Sequence, residues 1–178
     1  MTNTELQEII KSKFAEDISF DEQYDMLNVE IKKENLISVI EFLRDENSLQ
    51  FNFLTDICGI HYPENKGKEL GVIYHLHSWS NNIRIRIKVF LPVENPAIPS
   101  LTKIFSAADW MERETYDFYG ILFGDHPNLT RILNEETMDY FPMRKEYKLE
   151  DGTRTDKDDR FFGRDGHNGQ EFDKRYIK

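Results

Sequence analysis

Apolar residues recur at helical spacing in two stretches of the N-terminal half: Leu6, Ile9, Ile10 and Phe14, then Leu36, Val39, Ile40 and Leu43. A period near 3.6 gathers each set on one face, so amphipathic helices are expected over 4–14, with Thr4 placed to cap, and over 34–45. Between them the pattern switches to alternation. Leu27, Val29 and Ile31 face one way and Asn28 and Glu30 the other, which predicts a half-buried strand over 26–31. The same period of two returns at Val72, Tyr74 and Leu76, and at Ile83, Ile85, Ile87 and Val89. Ser80-Asn81-Asn82 then reads as the turn of a hairpin joining these two strands. Residues 51–62 are expected to form a short helical turn through Phe51 and Leu54, followed by a strand through Ile57, Cys58 and Ile60.

Beyond the hairpin, Pro92, Pro96 and Pro99 punctuate the chain. Ser100 is placed to cap a short helix through Phe105. A second helix is expected over 110–119, with Asp109 at the N-cap, Glu112 reaching back in a capping box and Gly120 as the stop. Helical and strand segments mix without a regular βα alternation. The expected class is α+β: a mixed or antiparallel sheet with helices packed on one face, followed by an extended C-terminal arm. Residues 1–133 are assigned to the compact domain and 134–178 to the arm. The last 28 residues carry four glycines, seven acidic and seven basic residues, with only Phe161, Phe162, Phe172, Tyr176 and Ile177 to anchor them. Such a segment buries too little to offset its ordering entropy unless a partner covers it.

Composition narrows the function. The chain has 178 residues and a net charge of -10, a balance that opposes sequence-independent binding to nucleic acid. Its one cysteine, Cys58, excludes an internal disulfide, a CxxC pair and a cysteine-ligated cluster or structural zinc, and points to a reducing compartment. The N-terminal stretch does not read as a secretory signal, and no run approaches 18 apolar residues.

The densest chemistry lies at Glu112-Arg113-Glu114 with Asp117. Arg113 and Asp117 are one helical turn apart and can pair, while three carboxylates within six residues need water, a metal or an outside cation. They could serve as general acid and base, form a solvated face, or meet a partner. His75 and His77 alternate on one strand and could share a metal if a carboxylate joined them; an outward polar face is the plainer reading. Arg84, Arg86 and Lys88 form a cationic row whose interleaved residues are isoleucines, not the aromatics that stack bases. Phosphate loops and nucleophile elbows are absent from the sequence.

The run 110–133, WMERETYDFYGILFGDHPNLTRIL, resembles the signature of the 30 kDa subunit family of respiratory complex I, the bacterial NADH-quinone oxidoreductase. Glu112, Arg113, Glu114, Asp117, Phe118, Tyr119, His126, Ile132 and Leu133 carry the match. The later run MDYFPMRKEY is similar to a second family block through Pro142, Arg144, Lys145 and Glu146. Thr130, Asn128 and His61 depart from the pattern.

The resemblance implies a non-catalytic assembly subunit of the hydrophilic arm. Such a subunit is peripheral on the cytoplasmic side of the cell membrane and docks the 49 kDa-type and iron–sulfur subunits. NADH, FMN, iron–sulfur clusters and quinone would belong to other subunits, and this chain would hold no cofactor or metal. Glu112, Arg113, Glu114, Asp117, His126, Arg131, Arg144 and Lys145 are the expected partner-binding residues. The competing assignments are the equivalent subunit of a related membrane-bound hydrogenase and, from another class, a metal- or carboxylate-dependent hydrolase.

Overall fold

The computed structural model describes residues 1–14 and 18–147. Helix α1 (Asn3–Lys13) opens on a capping box built by Thr2, not Thr4: the Thr2 hydroxyl accepts from Glu5 N–H, and the Glu5 carboxylate accepts from Thr2 N–H at 2.9 Å. Leu6 and Ile10 are its buried stripe. Strand β1 (Ile18–Gln23), which the sequence pattern did not reveal, hairpins into β2 (Met26–Ile31) through Tyr24 and Asp25, both at positive φ. A 3-10 turn at Lys33–Asn35 leads into α2 (Leu36–Asp45), which buries the predicted Leu36, Val39, Ile40 and Leu43.

Strand β3 (Phe53–His61) begins where a helical turn was expected. Phe51 instead folds back onto α2, donating its N–H to Leu43 O. Strands β4 (Leu70–Ser78) and β5 (Ile83–Leu91) form the predicted hairpin around 79–82. The five strands lie in the order β1-β2-β5-β4-β3. Every pairing is antiparallel except β2 with β5, the central parallel one. A second, small parallel pair joins β6 (Ala97–Pro99) to β7 (Leu122–Gly124).

Alternation sorts the sheet into two faces. Leu27, Val29, Tyr74, Leu76, Ile85, Ile87 and Val89 join α1 and α2 in one apolar core. Asn28, His75, Arg86 and Asp56 lie on the opposite face. The short helix expected after Ser100 is absent. Leu101–Phe105 makes turns instead, with Ile104 and Phe105 both donating to Leu101 O. Ala107 takes the N-cap position of helix α3 (Ala108–Tyr119) with no side-chain cap, so Asp109 falls inside the first turn and the expected capping box does not form.

Helix α3 rests on β3 at Gly59, where any Cβ would collide with the Tyr119 ring. It ends at Gly120, in the left-handed region at φ 73°. Residues 134–147 of the expected arm belong to the same compact unit, Met1–Tyr147. Met143 N–H donates to Phe118 O and Lys145 N–H to His61 Nδ1. The remainder of the expected arm, 148–178, lies outside the described residues.

Candidate partner-docking site

The second half of α3 organises the chain that follows it. Asp117 is closed off from solvent. Its Oδ2 accepts from the backbone N–H groups of Ile132, Leu133 and Asn134 at 3.1, 2.8 and 3.0 Å. Its Oδ1 accepts from Arg131 at 2.8 Å and from the Asn134 amide at 3.1 Å. Burial by itself would raise the carboxyl's pKa. The N–H groups of Asn134 and Leu133, then Arg131 and the Asn134 amide, outweigh it and hold the group well below the usual carboxylate range.

Arg131 carries the arrangement further. Besides the Asp117 carboxylate it donates to Asp117 O, Met138 O and Tyr140 O, each at 2.9 Å. One planar fork thus ties the helix end to two points of an irregular segment. Both Arg131 and Arg144 lie over the Phe141 ring, at 5.0 and 4.8 Å from its centroid. Phe141 in turn fills the space above Gly120 that a side chain there would occupy. Arg144 also donates to Tyr119 O at 2.8 Å, satisfying a carbonyl of the last helical turn.

The N-terminal half of α3 is tied in similarly. Arg113 stacks on Trp110 and donates to Thr130 O and Oγ1. His126 Nδ1 accepts from Asn128 N–H, which leaves its proton on Nε2, 3.1 Å from Asp109 O. Glu112 is fully buried, and one carboxylate oxygen accepts from Leu101 N–H at 2.6 Å. Its other oxygen and the Tyr74 hydroxyl have no hydrogen-bond partner among the described residues. Burial pushes Glu112 up to about 7, against the pull of Ser100 and Leu101.

Six of the eight expected partner-binding side chains are therefore bonded to the domain's own groups: Glu112, Arg113, Asp117, His126, Arg131 and Arg144. Glu114 and Lys145 point to solvent, and Glu114 makes no hydrogen bond or ion pair among the described residues. The carboxylate pair of a hydrolase is not assembled, because Glu112 and Asp117 are each sealed inside rather than facing a substrate. His75 and His77 share a face as predicted, but no carboxylate joins both. His75 turns to Arg86 while His77 stacks on Trp79.

Among exposed charged side chains, the bonded framework also holds large apolar ones outward. Trp110 and Leu133 are each 63% exposed, and Tyr140, Met143 and Tyr147 lie along the same segment, Tyr140 against Tyr147. Pattern reading missed these because they obey no period. The density of aromatic and sulfur side chains in MDYFPMRKEY was the available signal.

Residues 29–153 match the family model described as the 30 kDa subunit of respiratory-chain NADH dehydrogenase. Among curated relatives, an NADH-quinone oxidoreductase subunit of Streptomyces coelicolor is 47% identical over 123 residues, covering 69% of this chain and 49% of that protein. Its counterpart in Mesorhizobium japonicum is 44% identical over 126 residues, covering 71% and 62% respectively. The chain thus spans about half to three-fifths of the length of these relatives. Of solved structures, the trypsin-resistant fragment (1–134) of Nqo5 superposes with a TM-score of 0.61 at 28% identity, covering 72% of this chain and all of that one. A chain of an archaeal membrane-bound sulfane sulfur reductase shares the fold at a TM-score of 0.69 and 20% identity, covering 82% of this chain and 85% of that one. The chain belongs to the family of the 30 kDa subunit of respiratory-chain NADH dehydrogenase.

Proposed function

We propose that this chain is a non-catalytic assembly subunit of the hydrophilic arm of an NADH-quinone oxidoreductase. In this role it supports electron transfer from NADH to quinone by docking its 49 kDa-type and iron–sulfur neighbours. NADH, FMN, clusters and quinone are handled by those neighbours. No described helix is long and apolar enough to cross a membrane. In this reading, attachment to the cytoplasmic side of the cell membrane runs through the complex.

The observation that carries the reading is the Asp117–Arg131 framework. A buried ion pair, each of whose partners makes further hydrogen bonds, fixes an irregular segment whose exposed large apolar side chains are Leu133, Tyr140, Met143 and Tyr147. Large apolar side chains displayed on a rigid support are what a partner surface buries. Glu114 and Lys145 supply rim charges, and the chain after residue 147 serves as the arm over the partner.

The test separates assembly from turnover. Glu114→Lys and Leu133→Asp should leave the isolated domain folded and lower the fraction retained in complexes purified from native membranes. Electron transfer per assembled complex should be unchanged. Full retention together with lost turnover per complex would reassign the site to catalysis.

A further inference from the structure

Outside the α3 framework, the sheet face turned away from the core brings three metal-competent side chains together. Asp56 and Cys58 lie two residues apart on β3, and His75 sits beside them on β4. A β-bulge makes this possible. The register jumps from Leu54 opposite Leu76 to Asp56 opposite His75, so Thr55 is the extra residue. Without the bulge, Asp56 would fall opposite Tyr74 and point into the core. With it, one ligand atom from each of Asp56, Cys58 and His75 lies within 4.8 Å of the other two.

His75 supplies the second observation. Its Nδ1 is buried, has no hydrogen-bond partner among the described residues and lies 4.0 Å from an Asp56 oxygen. We propose that Asp56, Cys58 and His75 Nδ1 form an open three-ligand site for a zinc-class divalent cation, with the fourth position facing solvent. Nitrogen, sulfur and oxygen donors on one triangle suit zinc. Ligands bound at about 2.0–2.3 Å stand roughly 3.3–3.8 Å apart in a tetrahedron, so the triangle need close only slightly. Binding displaces the thiol proton of Cys58, which half-burial otherwise retains.

Arg86 governs the site from behind. Its Nε donates to His75 Nε2 at 2.9 Å, which leaves the ring proton on Nδ1, where the metal must go. Metal at Nδ1 requires the proton on Nε2, facing the Arg86 N–H donor to donor. Arg86 must then leave His75. Asn28 Oδ1, already 3.1 Å from its NH1, gives it a second anchor. Arg86 is a positioning residue that holds His75 in the tautomer opposed to metal.

Cobalt(II) titration of the untagged full chain tests this, because Cys58 is its only cysteine and any thiolate-to-cobalt charge-transfer band reports that one side chain. The wild type should show the band saturating at one equivalent, reversed by zinc, and Cys58→Ser should abolish it. Arg86→Gln should tighten cobalt binding about tenfold, the scale on which groups that orient a ligating histidine act. Absence of the band from the wild type, or its survival at full strength in both Asp56→Asn and His75→Gln, would overturn the site. Unchanged affinity in Arg86→Gln would overturn the role given to Arg86.

Discussion

Glu112 and Asp117 stand on one helix, both closed off from solvent, and the domain treats their charges in opposite ways. Asp117 is surrounded by donors, whereas Glu112 has the Leu101 N–H and Ser100 on one side and, among the described residues, an unpartnered oxygen on the other. The two should leave opposite marks on stability. The Glu112 pKa of about 7 in the folded chain exceeds its ordinary 4.5, so the native state binds the extra proton and stability falls as pH rises between those values. The loss is on the order of 3 kcal/mol above that window. Glu112→Gln keeps the acceptor for Leu101 and removes the ionisation. Urea unfolding at acidic and mildly alkaline pH should show the variant's curve flatter, and the variant more stable than wild type on the alkaline side. For Asp117 the sign reverses. Its depressed pKa contributes stability above the ordinary carboxylate value of 3.8, lost as pH falls below it. Asp117→Asn leaves the nearly buried Arg131 without its counter-charge, at a cost of about 3–5 kcal/mol. Amide exchange should then accelerate at Ile132, Leu133 and Asn134. That these residues mattered was legible in the sequence as an acidic cluster with Arg131 downstream. That they bond inward was not, because their donors come from residues 101 and 131–134, which no local pattern places beside the helix.

At the scale of elements, period-two and period-3.6 patterns located α1, β2, α2, β4 and β5, since each turns one regular set of positions to the core, and the Gly120 stop located the end of α3. The failures have physical causes. Strand β1 is an exposed edge with only alternate positions partly covered, so it lacks an apolar signal. Strand β3 carries a bulge, which shifts the alternation midway and mimics a helical turn at Phe51 and Leu54. The turns at 101–105 bury Leu101 and Phe105 four apart, a helical spacing, but the Leu101 N–H is taken by the buried Glu112 carboxylate. The α3–β3 contact depends on a missing side chain. Gly59→Ala should destabilise the domain by about 1–3 kcal/mol through overpacking against Tyr119. Tyr119→Leu in the same chain should recover part of that loss, and the resulting double-mutant cycle should show the two sites coupled.

For the whole molecule, the family sequence blocks lie within a unit that ends at Tyr147. The bonds of Arg131 and Arg144 to backbone carbonyls tie their side chains to the domain and out of a protease's specificity pocket. Limited trypsin treatment should therefore leave the chain uncut after Arg131 and Arg144. Fragments with those two ends appearing early, read by mass spectrometry, would mean that the segment is not held as described.

The parallel pairing of β2 with β5 sets a timetable for the nascent chain. Leu27 finds its neighbour only when Ile85 has been made, so the first hairpin leaves the ribosome with an unfilled flank. Until then the apolar side chains of β2 and its open strand edge stay uncovered, the state in which a nascent chain is most prone to aggregate.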